Sequence, residues 1–382
     1  MLDRVIRIFA SLKLAVVCLT LAMLLVFIGT IAQVEEGLYN AQNRYFRSVL
    51  IYWQPQGADW KVPVFPGGYL IGSVLLLNLI TAYSERLKMS RSKTGLFMAH
   101  GGLVLLVVGQ FASDMLQVES FMRVGENQPK FYSESNMRTE LAVTETSNPH
   151  HDEVVAIPER FLARREDLQH PQLPFTIRVK TYHQNSRLGE RASDDKEPAA
   201  ATEGVGPRVK FTPVPPAIKM DERNVPAAIV ELLTPKGSLG TWVVSLALSH
   251  PQDVQVGGKT YTLALRPTRY YKSHSLTLLK FSHDKYRGTD IPKNFSSRVR
   301  VQRPDTGEDR EVLIYMNNPL RYAGETYYQS GYDERDPRIS ILQVVRNPSW
   351  LTPYLACGLV GLGLCIQFMA HLLDFMRKRK TA

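Results

Sequence analysis

The sequence predicts a membrane protein: four transmembrane α-helices and a large extracytoplasmic β-rich domain, a sandwich or barrel-like sheet, between the third and fourth. Three observations predict it. Apolar residues gather in four blocks. Lys and Arg cluster at the ends of those blocks. Between the third and fourth blocks, short runs rich in Val, Ile, Thr, Tyr and Phe recur between turn signals.

The blocks are about 9–32, 67–84, 95–113 and 350–373. A helix needs roughly 20 apolar residues to cross a ~30 Å hydrocarbon core, within a range of about 17–25. The second and third blocks are the shortest, and both fit. Arg4, Arg7 and Lys13 before the first block resemble a secretory signal, but that run is long for one and further spans follow. Arg86, Lys88, Arg91 and Lys93 lie between the second and third blocks, and Arg377, Lys378, Arg379 and Lys380 follow the fourth. Four spans put all three basic segments on one face, which the positive-inside rule makes cytoplasmic. The expected organisation is residues 1–113 as a three-span region, 114–349 as the extracytoplasmic domain, and 350–382 as the last helix and a basic cytoplasmic tail. The net charge of +10 would suit nucleic acid, but its placement beside apolar blocks points to a lipid bilayer instead.

Within 114–349, strands are expected at 175–182, 227–234, 241–248, 260–265, 275–281 and 310–316. Glycine-bearing turns lie at "PKGS", "VGGK" and "PDTGE". Residues 186–206 lack apolar periodicity and read as a flexible stretch. The chain has three cysteines, Cys18 in the first block and Cys357 and Cys365 in the fourth. The outer domain therefore has no disulfide, no CxxC redox pair and no CxxCH haem attachment. Free cysteines in apolar helices read as small buried residues. No phosphate loop, HExxH or nucleophile elbow occurs. His150, His151 and Asp152 lack a spaced third ligand, and His183, His250, His274 and His283 form no cluster in sequence.

His100 stands out. It lies five residues into the third block, about 8 Å along the helix, and Gly101 and Gly102 follow it. An ionisable residue at membrane depth is a functional hypothesis by default, and neutral imidazole is the metal-binding form. Two readings stay open. His100 could ligate haem iron, the glycines letting a flat macrocycle approach. It could equally make an interhelical hydrogen bond, the glycines packing helices. His371, near the end of the fourth block, is a second candidate ligand, or an interfacial anchor.

The sequence resembles the ResB family, also called CcsB, the membrane component of system II cytochrome c maturation. The likeness runs through "SLKLAVVCLTLAMLLVFIGTIAQ", "HGGLVLLVVGQF" and "FSHDKYRGTDIPKNFSSRVRV". It is strongest at "NNPLRYAGETYYQSGYDERDPRISILQVVRNPSW", residues 317–350. It implies a haem-transferring role in a bacterial cytoplasmic membrane with a CcsA-like partner, and support for attaching haem to apocytochrome c. It also implies thiol-reducing proteins of the pathway as partners. Haem would be the cofactor, transiently bound and shared with the partner, and His100 takes the position of the family's membrane haem ligand. The chain would act within a haem-attachment complex rather than as an enzyme alone. The outer-domain cysteine of some relatives is missing, which argues against a direct redox role. A scaffold stabilising the haem-handling partner and a b-type electron carrier using His100 and His371 are the alternatives. A sensor is disfavoured because no output domain follows the fourth block.

Overall fold

The computed structural model describes residues 2–55, 60–86, 93–192, 199–217, 223–285, 287–288, 292–333, 335–336 and 338–381. The chain divides into two compact units, one built from residues 1–118 and 347–382, the other from residues between 119 and 346.

The first unit opens with α1 (Leu2–Phe9) and α2 (Leu12–Glu36). The Ser11 side chain accepts from the Lys13 backbone N–H at 3.2 Å and caps the start of α2. Then come α3 (Leu38–Ala41), a π turn (Gln42–Phe46), a hairpin of β1 (Leu50–Trp53) and β2 (Val62–Pro66), α4 (Gly68–Arg86) and α5 (Thr94–Leu116). The unit has its own apolar core, in which Cys18, Leu25, Ala41, Tyr45, Ile51 and Ile71 are buried.

The second unit contains β3 (Val118–Gly125), β4 (Pro129–Glu145), β5 (Glu153–Pro158), α6 (Glu159–Ala163), β6 (Asp167–Leu168), β7 (Thr176–His183), β8 (Ser186–Glu190) and β9 (Val209–Pro213). It continues through β10 (Ala227–Thr234), β11 (Gly237–Ser245), β12 (Gln252–Val256), β13 (Lys259–Lys285), β14 (Pro292–Arg303), β15 (Glu308–Tyr315), β16 (Leu320–Tyr322), β17 (Glu325–Tyr332) and β18 (Ile339–Arg346). The helix α7 (Thr352–Thr381) returns the chain to the first unit.

Two cores share this second unit. A ten-stranded sheet runs β15-β14-β13-β4-β3-β18-β17-β16, with β12 and β5 paired off that path. Its end strands, β15 and β16, are chain neighbours joined by a tight turn in which the Asn318 N–H donates to the Tyr315 carbonyl at 3.0 Å. The sheet is therefore nearly closed. Met122, Leu276, Leu278, Val299, Ile314, Leu320, Tyr327 and Leu342 fill it from strands all round, as the interior of a small barrel is filled. The second core is a sandwich. One layer holds β4, β5, β12 and the first half of β13, with Leu141, Val155, Val254 and Leu263 inward. The other is the sheet β11-β10-β7-β6, contributing Trp242, Val230 and Ile177.

By length and composition, three helices among the described residues can cross a membrane: α2, α5 and α7. The apolar part of α4, Gly68–Ser84, is shorter, so the count is three where the sequence predicts four. Of the basic connection, Lys88 and Arg91 lie outside the described residues. In the stretch expected to be flexible, Ser186–Glu190 pair with Val209–Pro213, Ala201 and Gly206 are buried, and residues 193–198 lie outside the described residues.

Candidate functional site

His100 sits on α5, where an apolar periodic run leaves its imidazole beside the turn below. Its Nδ1 lies 2.9 Å from the Leu96 carbonyl oxygen. A carbonyl cannot donate, so Nδ1 carries the hydrogen, and in the neutral ring Nε2 carries the lone pair. Nε2 has no hydrogen-bond partner among the described residues. The arrangement is compatible with a metal-binding imidazole, whose other nitrogen is normally held by a carbonyl or carboxylate. Tyr83 on α4 stacks on the ring, with centroids 6.4 Å apart and planes 25° from parallel. The Tyr83 hydroxyl is itself fixed, donating to the Phe97 carbonyl at 3.2 Å.

The two glycines do different things. A Cβ on Gly102 would lie 2.8 Å from the Ala356 carbonyl and 2.6 Å from a Val360 methyl carbon on α7. Gly95, Gly109 and Gly363 are crowded in the same way along this seam. Gly102 thus lets α5 and α7 approach closely, as small residues do between membrane helices. A Cβ on Gly101 would meet only the Tyr83 hydroxyl at 3.4 Å and a Leu359 carbon at 3.9 Å.

His371 lies elsewhere. Gly95 packs at Gly363 and Gln367, Gly102 at Ala356 and Val360, and Gly109 at Thr352, so α5 and α7 run antiparallel. This register sets His100 level with about residue 360 of α7. His371 is some three turns further, roughly 16 Å along the axis. Two imidazoles bridged by one metal, at about 2 Å per bond, would need their nitrogens ~4 Å apart. The pair does not meet that requirement. The His371 Nε2 lies instead 2.9 Å from the Gln367 amide nitrogen, from which it accepts. The Oε1 atom of Gln367 accepts from the Leu96 backbone N–H at 3.1 Å. The sequence reading missed Leu96, Gln367 and Tyr83. A glutamine four residues before a histidine in an apolar helix is the signal that could have found one of them.

The other histidines also find partners that the sequence order hides. His274 is buried in the barrel core, its Nε2 2.8 Å from the Tyr327 hydroxyl. His283 stacks on Phe295 at 4.6 Å and lies 5.0 Å from Tyr332. Among the described residues no three His, Cys, Asp or Glu side chains gather as a metal site. The three cysteines are free, Cys18 buried and Cys357 and Cys365 exposed.

Residues 253–347 match the family model described as the ResB-like family. Over 102 residues the chain is 33% identical to Protein NrfI of Wolinella succinogenes, covering 27% of this chain and 11% of that protein. The chain thus spans about a tenth of the length of the curated relative it matches. The resemblance to the ResB family is shown over the barrel-forming part of the second unit.

Proposed function

We propose that this chain serves cytochrome c biogenesis, acting with a CcsA-like membrane partner to carry haem across the bilayer and present it for attachment to apocytochrome c. The observation that carries this reading is the His100 imidazole. Its Nδ1–H is held by the Leu96 carbonyl, and its Nε2 has no hydrogen-bond partner among the described residues. Such a nitrogen can hold haem iron without a buried charge, which lipid penalises heavily. The partner would supply the second ligand, since His371 is too far along α7 and its Nε2 is engaged by Gln367. Haem is cargo here. The chain's own part is to fix the ring, keep the site lipid-walled, and hold the β-rich unit where an apocytochrome can be received.

In this reading α4 is a fourth span. At 19 residues it is about 28 Å long, close to the ~30 Å core. Both basic ends would then face the cytoplasm of a bacterial cell and the β-rich unit the outside.

The test is to purify the chain with its CcsA-like partner and record oxidised and reduced haem spectra for wild type and His100→Ala. Loss of bound haem in the variant, restored by added imidazole, is the expected result. Unchanged spectra and normal cytochrome c maturation would instead make His100 a packing residue and the chain a scaffold.

A further inference from the structure

The helical unit also holds a cavity of about 680 Å³ between α2, α4, α5 and the turn after α2. That volume falls in the roughly 300–1,000 Å³ of small-molecule sites. His100 is not part of its lining: the first α5 residue on its wall, Leu106, lies six residues further along the helix, about 9 Å.

The lining changes character along the helices. Gly72, Leu76, Leu106 and Val107 form an apolar end. Towards the C-terminal ends of α2 and α5 and the N-terminal end of α4 the lining turns polar. The charges there cancel. Arg47 donates to one Asp114 carboxylate oxygen from Nε at 3.0 Å and from Nη2 at 2.7 Å. The Tyr69 hydroxyl donates to the other at 2.9 Å. What remains for a ligand is neutral. Gln33, Gln42 and Gln110 line the cavity, and none of their side-chain amides has a hydrogen-bond partner among the described residues. Amides left unpaired beside lipid are costly.

This composition selects a ligand. No His, Cys or Met lines the cavity to hold iron, and a haem's propionates would meet a guanidinium already paired. A phospholipid phosphate would face the same neutral end. We propose that the cavity binds a neutral, membrane-soluble ring compound bearing carbonyl or hydroxyl oxygens, of the quinone class. Its apolar body would lie against Leu76 and Leu106, and its oxygens would bond the glutamine amides. The inference stands apart from the haem reading and survives or fails without it.

The experiment measures equilibrium binding of a decyl-substituted benzoquinone to the purified full chain in lipid nanodiscs. Two variants probe the site. A Cβ on Gly72 would meet nothing within 4 Å, so Gly72→Leu fills the cavity without pushing on the backbone. Gln110→Leu removes one amide from an exposed position. Saturable binding is expected in the wild type, weakened about tenfold or more by Gly72→Leu and roughly three- to tenfold by Gln110→Leu. If Gly72→Leu does not fold, Gln110→Leu decides alone. Affinity unchanged in the folded variants, or a cavity that takes haem or anionic phospholipid but not the quinone, overturns the proposal.

Discussion

At the scale of single residues, adjacent positions of one type carry unequal demands. Gly102 has the Ala356 carbonyl and Val360 where a Cβ would go, while Gly101 has only ordinary contacts. Gly102→Ala is therefore expected to destabilise the α5–α7 pair by about 1–3 kcal/mol through overpacking. Gly101→Ala should leave it nearly unchanged, since alanine also favours helix. Thermal unfolding of the detergent-purified chain separates the two, and equal effects would refute the packing role given to Gly102. His274 makes a second prediction. Burial pushes its pKa below the ordinary 6.5, the Lys272 and Arg303 charges act in the same direction, and the Glu325 and Glu308 carboxylates offset this only in part. The folded state thus resists a proton that the unfolded chain accepts below about 6.5. The stability from neutral His274 is present above that pH and falls away as the pH drops towards the folded value. The melting temperature should fall on acidification below this point, and His274→Phe should flatten that part of the profile. A profile identical in variant and wild type would remove His274 as its source.

At the scale of elements, the longest strand is the instructive one. The sequence predicts two strands here, at 260–265 and 275–281. The structure joins them as β13, Lys259–Lys285, which pairs with β4 on both sides of register shifts at Pro267/Arg269 and Tyr271/Leu276. Its first half faces the sandwich core through Leu263 and Leu265, its second the barrel core through Leu276 and Leu278. A shift of register re-aims alternate side chains, so one strand serves two cores that local periodicity cannot connect. The "YAGETYYQSGYD" segment runs from the end of β16 through β17, and β17 buries Tyr327. The rest of its network was not legible, because His274 and Lys272 come from β13, distant in the chain. The Tyr327 hydroxyl donates to Glu325 at 2.8 Å and accepts from His274, while Lys272 pairs with Glu325 at 2.5 Å. Tyr327→Phe leaves the buried His274 Nε2 without its partner and takes one of two partners from Glu325, and should cost about 1–3 kcal/mol. Denaturant titration checks this, and wild-type stability in the variant would show the network to be dispensable.

At the scale of the whole molecule, the division into apolar helices and a β-rich insertion was plain in the sequence, because apolar blocks and alternating strands differ in period and length. His100 was legible by its depth in an apolar run. That His100 and His371 lie too far apart to share one metal was not, because it follows from the antiparallel register of α5 and α7, set by glycines far apart in the chain. The number of spans is the remaining question of scale, and it is one of parity. With α4 across the membrane, the β-rich unit lies on the face opposite the N-terminus, and the C-terminal tail on the same face as the N-terminus. With only α2, α5 and α7 across, those two assignments reverse. Positive charge favours four spans, since Arg86 and Lys93 join the Lys/Arg of both termini on one face. Replacing Cys18, Cys357 and Cys365 with serine allows a direct test. Gly189→Cys lies at an exposed strand position where a Cβ meets nothing, and Arg379→Cys lies exposed near the end of α7. A membrane-impermeant maleimide should label Gly189→Cys in intact cells and Arg379→Cys only after permeabilisation. The reverse pattern would leave α4 outside the membrane and place His100 on a helix running the other way, which export of haem from the cytoplasm could not use as proposed.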